Sequence, residues 1–248
     1  MMPGMVDKSS GDWARPAGLS EATVAQRRIA AACETADRFG PVRVVAGADV
    51  SMKWRDSRGP VHAAIAPLRW PAREPMSPGA ATCIPDIPYV PGYLGFREVP
   101  ALAAAWETLA GRGVRMPDLV VVDGHGRAHP RRCGIATHLG VVLDVPTIGC
   151  AKTLLCGRIE GELGEEAGAS APLVDRGEQV GVALRTRSRC LPVYVSTGHR
   201  VALDTAVEWI TALCDGRRLP LPIRMAHDAA NAVRRAAITD DAPQDGAA

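Results

Sequence analysis

The apolar positions of this chain fall into short, β-branched runs separated by proline- and glycine-rich breaks. Residues 42–52, VRVVAGADVSM, read as a strand covered on both faces, because their apolar character is continuous rather than alternating. Residues 61–68, VHAAIAPL, predict a second strand beyond the polar loop KWRDSRGP, and a weaker third is expected near 80–84. Residues 85–95, PDIPYVPGYLG, predict no regular structure, since three prolines break ladders and helices alike. A helix is expected over 96–110, with Pro100 admissible only in its first turn. Residues 118–123 predict a strand, 131–144 a helix and 145–151 a strand. Beyond a Gly- and Glu-rich loop at 157–170, residues 179–186 and 191–196 predict a hairpin. Helices are expected over 204–214, ended by Gly216, and over 222–236. At the amino end, Ser20 is placed to cap a helix that Gly40 would stop.

Three strands in a row imply an antiparallel meander, and the later alternation implies parallel additions. The predicted fold class is therefore α/β, a mixed β-sheet with helices on both faces. One domain is expected over 19–238, between flexible tails at 1–18 and 239–248. The 248 residues are 47% apolar, enough for a sizeable core. A net charge of +2 is too balanced for a protein that wraps nucleic acid by charge alone. No apolar run approaches the ~18 residues of a membrane span, and the first residues lack a secretory pattern, so a cytoplasmic protein without membrane contacts is expected. Seven cysteines, an odd number without a C-x-x-C, read as reduced thiols.

Asp49 and Asp123 each end an apolar run. If the first strand is central, with the meander on one side and the 118–123 strand parallel on the other, the sheet changes direction between them. Ligands of open α/β sheets collect at such a point. Two aspartates there would repel, and a divalent cation would remove the repulsion. Glu98, at the head of the next helix, offers a third oxygen, and oxygen-only ligation favours Mg²⁺ or Mn²⁺ over zinc. A strand-end aspartate alone is usually a cap or turn former, so the inference rests on the pair together with Glu98. The stretch 121–134, VVDGHGRAHPRRCG, admits a zinc reading through His125, His129, Cys133 and, just beyond it, His138. Their gaps match no common zinc spacing, and Gly124, Gly126 and Pro130 keep the first three off a single helix. Ser196 and His199 in VSTGH lack an evident acid for a serine triad.

Four segments in order, VAGADVS, PYVPGYLGFRE, the long run from Asp118 to Leu155, and PVYVSTGHRVALDTAVEW, resemble the endonuclease V family over about residues 20–236. The resemblance implies a ribonuclease H-like fold. It implies an enzyme of DNA repair that recognises hypoxanthine (deoxyinosine) in DNA and cuts the second phosphodiester bond on its 3′ side, leaving 3′-hydroxyl and 5′-phosphate ends. It also implies a Mg²⁺ requirement, for which Mn²⁺ can substitute. By motif, Asp49, Glu98 and Asp123 fall on the family's metal-binding carboxylates, Lys152 on its active-site lysine and His227 on a histidine near the metals. Tyr89, with Pro91 beside it, falls on the wedge that parts the strands at the lesion. Gly92, Leu94, Gly124 and Ile135 fall where the family lines its base pocket, and His129 on an active-site histidine.

Flipping the base out of the duplex exposes its Watson–Crick edge for reading, and glycines let backbone groups approach it closely. Arg127, Arg131, Arg132, Arg217 and Arg218 are candidates for phosphate contacts. Cys133 and His138 are expected to pack a helix, while the role of His125 stays open. The sequence departs from the family pattern at Met52, Tyr93, Gly95 and STGH, where tyrosine, leucine, serine and Ser-Pro-Gly-His are commoner. Tyr93 and Gly95 therefore bear on base selectivity. A monomer is expected, with inosine-containing DNA as partner. Action on inosine-containing RNA is the alternative, because no residue reads a 2′-hydroxyl unambiguously. A non-catalytic binder of distorted nucleic acid is the other competitor, disfavoured by the intact carboxylates.

Overall fold

The continuously apolar segment Val44–Ser51 (β1) runs through the middle of the sheet, and its two neighbours set the rest of the architecture. In this computed structural model, which describes residues 13–53 and 56–240, β1 pairs antiparallel with Val61–Arg69 (β2) and parallel with Leu119–Val122 (β5). Short strands Glu74–Pro75 (β3) and Gly79–Cys83 (β4) both pair with β2. On the other side β5 pairs parallel with Thr147–Ala151 (β6), followed by the antiparallel strands Arg158–Ile159 (β7), Ser170–Asp175 (β8), Glu178–Leu184 (β9) and Val193–His199 (β10). The path across the sheet is β3-β2-β1-β5-β6-β10-β9-β8-β7. The mixed sheet expected from the apolar pattern is therefore present, with its change of direction at β1.

The sheet is buried on both faces because side chains alternate along each strand. Val45, Val121 and Ile148 meet helices Leu203–Leu213 (α4) and Leu221–Asp240 (α5) through Ile210 and Ile223. Ala46, Ala48 and Val120 meet Leu94–Ala110 (α2) and Ile135–Leu143 (α3) through Leu102 and Leu139. Helix Leu19–Ala32 (α1) packs on α3. Among the described residues, no helix is long and apolar enough to cross a membrane.

Several boundaries differ from the sequence expectation, each for a local reason. Ser20 lies inside α1 rather than capping it, and α1 ends at Ala32, well before Gly40. Beyond that point Glu34 and Arg38 bond to His199 and Arg200, which draws the segment into extended backbone. α2 starts at Leu94, so Pro100 sits within the helix. The lost backbone bond is offset by the fully buried Phe96, Val99, Ala101 and Leu102. α3 starts only at Ile135, because Arg132 takes a left-handed φ of 57° and its guanidinium binds Asp175 at 2.7 Å. β8 lay unrecognised, masked by Pro172, although the turn to β9 at Arg176 and Gly177 has the two positive φ angles of a tight hairpin. In the segment expected as an amino-terminal tail, the Trp13 carbonyl accepts a bond from His138 Nε2 at 2.8 Å. The remainder of that tail, 1–12, and residues 241–248 lie outside the described residues.

Gly47 sets how closely α5 approaches the sheet. A Cβ on it would stand 1.9 Å from the Pro222 carbonyl oxygen. Gly47→Ala is expected to destabilise the fold by ~2 kcal/mol or more. Gly40→Ala, at a position with nothing within 4 Å, should stay within about 0.5 kcal/mol of the parent. Chemical denaturation of both variants checks this, and an unchanged midpoint for Gly47→Ala would contradict the close packing.

Candidate active site

Asp49 shares a face of β1 with Val45 and Gly47, near the strand's carboxyl end. Asp123 follows β5 directly, and its N–H donates to the Ala48 carbonyl at 2.9 Å, which sets the two aspartates side by side. Lys152 follows β6, the next parallel strand, and its Nζ donates to Asp123 Oδ2. Glu98 comes from the fifth position of α2, on the opposite face of the sheet. All four line one cleft of about 490 Å³. Tyr89, Pro91, Gly92, Leu94, Gly124, His129 and Ile135 line it as well. His227 does not line the cleft. It stands on α5, half exposed, with Nδ1 bonded to Asp49 Oδ2 at 2.9 Å.

The electrostatics follow from crowding. Burial, then the charges of Asp49 and Asp123, push the Glu98 carboxyl up to about 8. Burial and the Asp123 charge raise Asp49 to about 6, against the opposing pull of Lys152, His227 and the Val50 N–H. Two neighbouring acids that resist ionisation form a region ready to accept positive charge. Among the described residues, no three Asp, Glu, His or Cys groups already stand as a cage for a metal ion. The oxygen donor set and its mutual repulsion nevertheless fit a hard divalent cation. The zinc reading fails on its own residues. His125 Nε2 donates to the Thr153 carbonyl at 2.9 Å, His129 is bonded through both nitrogens, His138 donates to Trp13, and buried Cys133 packs with Ile29 and Val141.

The proline-rich segment is held from below by groups that sequence reading missed. The Gly92 carbonyl accepts from Gln26 Nε2 at 2.9 Å, His129 Nε2 at 3.1 Å and Arg131 Nη2 at 2.6 Å. The Arg131 N–H donates to His129 Nδ1, which fixes the proton on Nε2. Burial and the Arg131 charge hold His129 down at about 4. Among the described residues, Arg97 is buried without a carboxylate ion pair and spends its guanidinium on the carbonyls of Ser57, Gly59, Asp56 and Ile87. Met52 Sδ accepts its Nε–H at 3.4 Å. Prolines and this clamp leave Tyr89 55% exposed at the rim. A buried Gln26 on α1 and an arginine beside an acidic residue carry no signal of such use in one sequence. Among the arginines expected to meet phosphate, Arg127 and Arg132 bind Glu178, and Arg218 binds the carbonyls of Lys152 and Pro192. Arg217 is exposed.

The departures from the family pattern also find places. Tyr93 bonds Thr23 at 2.8 Å and lies 4.2 Å under the Arg131 guanidinium. A Cβ on Gly95 would meet the fully buried His138 at 2.6 Å from Nδ1, and a Cβ on Gly124 would meet Ile135, a wall residue of the pocket, at 2.3 Å. Within STGH, Ser196 Oγ accepts the Gly126 N–H at 2.9 Å.

A ribonuclease H-like sheet that gathers acidic side chains at the ends of its central strands defines an α/β nuclease. The comparisons then name the group: residues 27–228 match the family model for endonuclease V, and the chain belongs to that family as an endonuclease. It is 51% identical to the endonuclease V of Rhodospirillum centenum over 225 residues, which cover 91% of this chain and 92% of that protein. The crystal structure of the Streptomyces avermitilis endonuclease V superposes with a TM-score of 0.81 at 37% identity, covering 90% of this chain and 96% of that one. The Ciona intestinalis endonuclease V, solved with a 24mer DNA containing an inosine followed by a ribo-adenosine, superposes with a TM-score of 0.76 at 25% identity, covering 88% of this chain and 98% of that one.

The raised carboxyls predict a pH dependence of stability. A carboxyl whose folded pKa lies above its ordinary value contributes fully below that ordinary value, and the contribution fades as pH climbs through the folded one. Metal-free protein should thus lose stability between about pH 4.5 and pH 8, by at most ~1.4 kcal/mol per pH unit for Glu98. Thermal unfolding with chelator, compared with Glu98→Gln, isolates that contribution. Parallel pH profiles for the two proteins would refute it.

Proposed function

We propose that this endonuclease acts on deaminated nucleic acid, recognising hypoxanthine and hydrolysing the second phosphodiester bond on its 3′ side. The observation that carries this reading is the joining of Asp49, Glu98 and Asp123 with a glycine-lined pocket and the exposed Tyr89 in one cleft. The Ciona relative bound to inosine-containing DNA supports the same substrate class. Asp49, Glu98 and Asp123 would hold Mg²⁺, or Mn²⁺ in its place. When bound, the cation supplies charge neutralisation at the phosphate and a water of lowered pKa.

The chain's own residues do the rest. Lys152 presents a compact positive charge to a phosphate oxygen. His227 orients Asp49 by its 2.9 Å bond. The backbone around Gly92 and Gly124 admits a flipped base, with Leu94 and Ile135 as apolar walls and His129 bracing the Gly92 carbonyl. Tyr89 stacks into the gap that the base leaves, and Pro91 keeps its segment extended. DNA is the proposed partner of a monomeric enzyme.

Cleavage of single inosine-bearing DNA and RNA strands, with Mg²⁺ and with chelator, tests the activity. A cation-dependent cut one nucleotide beyond the inosine is expected in DNA. An RNA-only cut would move the substrate to RNA, and no cut in either strand would remove the reading. Asp49→Ala and Asp123→Ala should each lower kcat at least ~10²-fold while nucleic-acid binding largely survives. For Tyr89→Ala, duplex lesion binding should weaken by ~1–3 kcal/mol, with single strands little affected. Equal losses on both would make Tyr89 a packing residue.

A further inference from the structure

Behind the cleft, a strand face meets a helix face with matched polar groups. β1 presents Asp49 and Ser51 two residues apart, and α5 presents His227, Asn231 and Arg234 at i, i+4 and i+7. Their contacts form one line. Arg234 Nε donates to Ser51 Oγ at 2.8 Å, and the Ser51 hydroxyl donates to Asn231 Oδ1 at 2.7 Å. Asn231 Nδ2 meets His227 Nε2 at 2.9 Å, and His227 Nδ1 meets Asp49 Oδ2 at 2.9 Å.

The orientation of the Asn231 amide sets the directions. A guanidinium only donates, so the Ser51 oxygen accepts there, and the Ser51 proton goes to the Asn231 amide oxygen that stands 2.7 Å away. That places the amide NH₂, which also only donates, against His227 Nε2. In the neutral ring Nε2 is then the acceptor, and the single proton resides on Nδ1, aimed at Asp49. Reversing the amide would put the proton on Nε2 and set the Nδ1 lone pair against a carboxylate oxygen. The other Asp49 oxygen accepts the Val50 N–H at 2.7 Å, so both ends of the carboxylate are held.

We propose that Asn231 is a positioning residue: backed by Ser51 and Arg234, it fixes His227 as the Nδ1–H tautomer and so aims the Asp49 carboxylate into the cleft. The tautomer stands on the contacts alone, and its effect on cleavage rests on the function proposed above.

Imidazole ¹⁵N–¹H correlation spectra of the chelator-treated full chain read the tautomer without substrate or cation, with His227→Gln assigning the signal. Native His227 should show a protonated Nδ1 and an unprotonated Nε2. In the isosteric Asn231→Asp, whose carboxylate accepts where the amide donated, Nε2 should gain a proton. A native ring protonated on Nε2 or on both nitrogens, or an unchanged pattern in Asn231→Asp, overturns the proposal. On inosine-bearing DNA, Asn231→Ala should lower kcat about tenfold with KM nearly constant. A raised KM at constant kcat overturns the catalytic part. A wild type that cuts no inosine strand removes the functional reading and leaves the spectra to decide the tautomer.

Discussion

Three carboxylates confined to one cleft repel each other, and much of the local architecture answers that repulsion. The strands cannot move Asp49 away from Asp123, because β1 and β5 are paired and buried on both faces. Glu98 is fixed equally firmly by the buried turns of α2. Positive or donating groups must therefore come to the acids. Lys152 arrives from the next strand end, His227 from α5 and the Val50 N–H from the backbone itself. Arg97 adds a buried positive charge one residue from Glu98, with its donors directed to carbonyls rather than to the acids. Such a centre is held at some electrostatic cost by a scaffold rigid enough to bear it.

The same logic of over-determined support applies at the rim. An irregular segment with three prolines has few hydrogen bonds of its own. It is held by side chains reaching from beneath, with Gln26, His129 and Arg131 converging on the Gly92 carbonyl. Arg97 ties the neighbouring Ile87 carbonyl to the loop after β1. The exposed Tyr89 therefore projects from a fixed base rather than from a loose loop.

The core of this arrangement was legible in the amino-acid sequence because it follows from short-range pattern. Continuous apolar runs marked β1, β5 and β6, and the acids at the ends of the first two marked the cleft. Reading failed where distant contacts override local preference. α1 stops short of Gly40 because Glu34 and Arg38 are pulled toward β10. α3 starts late because Arg132 is drawn to Asp175. A sequence shows the charge of an arginine without showing its partners, such as Glu178 opposite Arg127 and Arg132. Gln26 was invisible for the converse reason, as a polar residue on an amphipathic helix is ordinarily solvated. His227 and Asn231 had the helical spacing of a shared face, but only the approach of β1 gives that face its meaning.

The bracing of the Gly92 carbonyl has a consequence for how such a protein can change over time. The acids stand on central strands and on the body of α2, with α5 behind them. The pocket rim hangs from α1 and from the turn before α3. The tyrosine at 93, resting against Thr23 and Arg131, touches no partner of Asp49 or Asp123, although it caps the helix that carries Glu98. Sites that share no partners combine nearly independently. Change at the rim and change at the acids can therefore proceed largely apart, because the two are held by different parts of the scaffold.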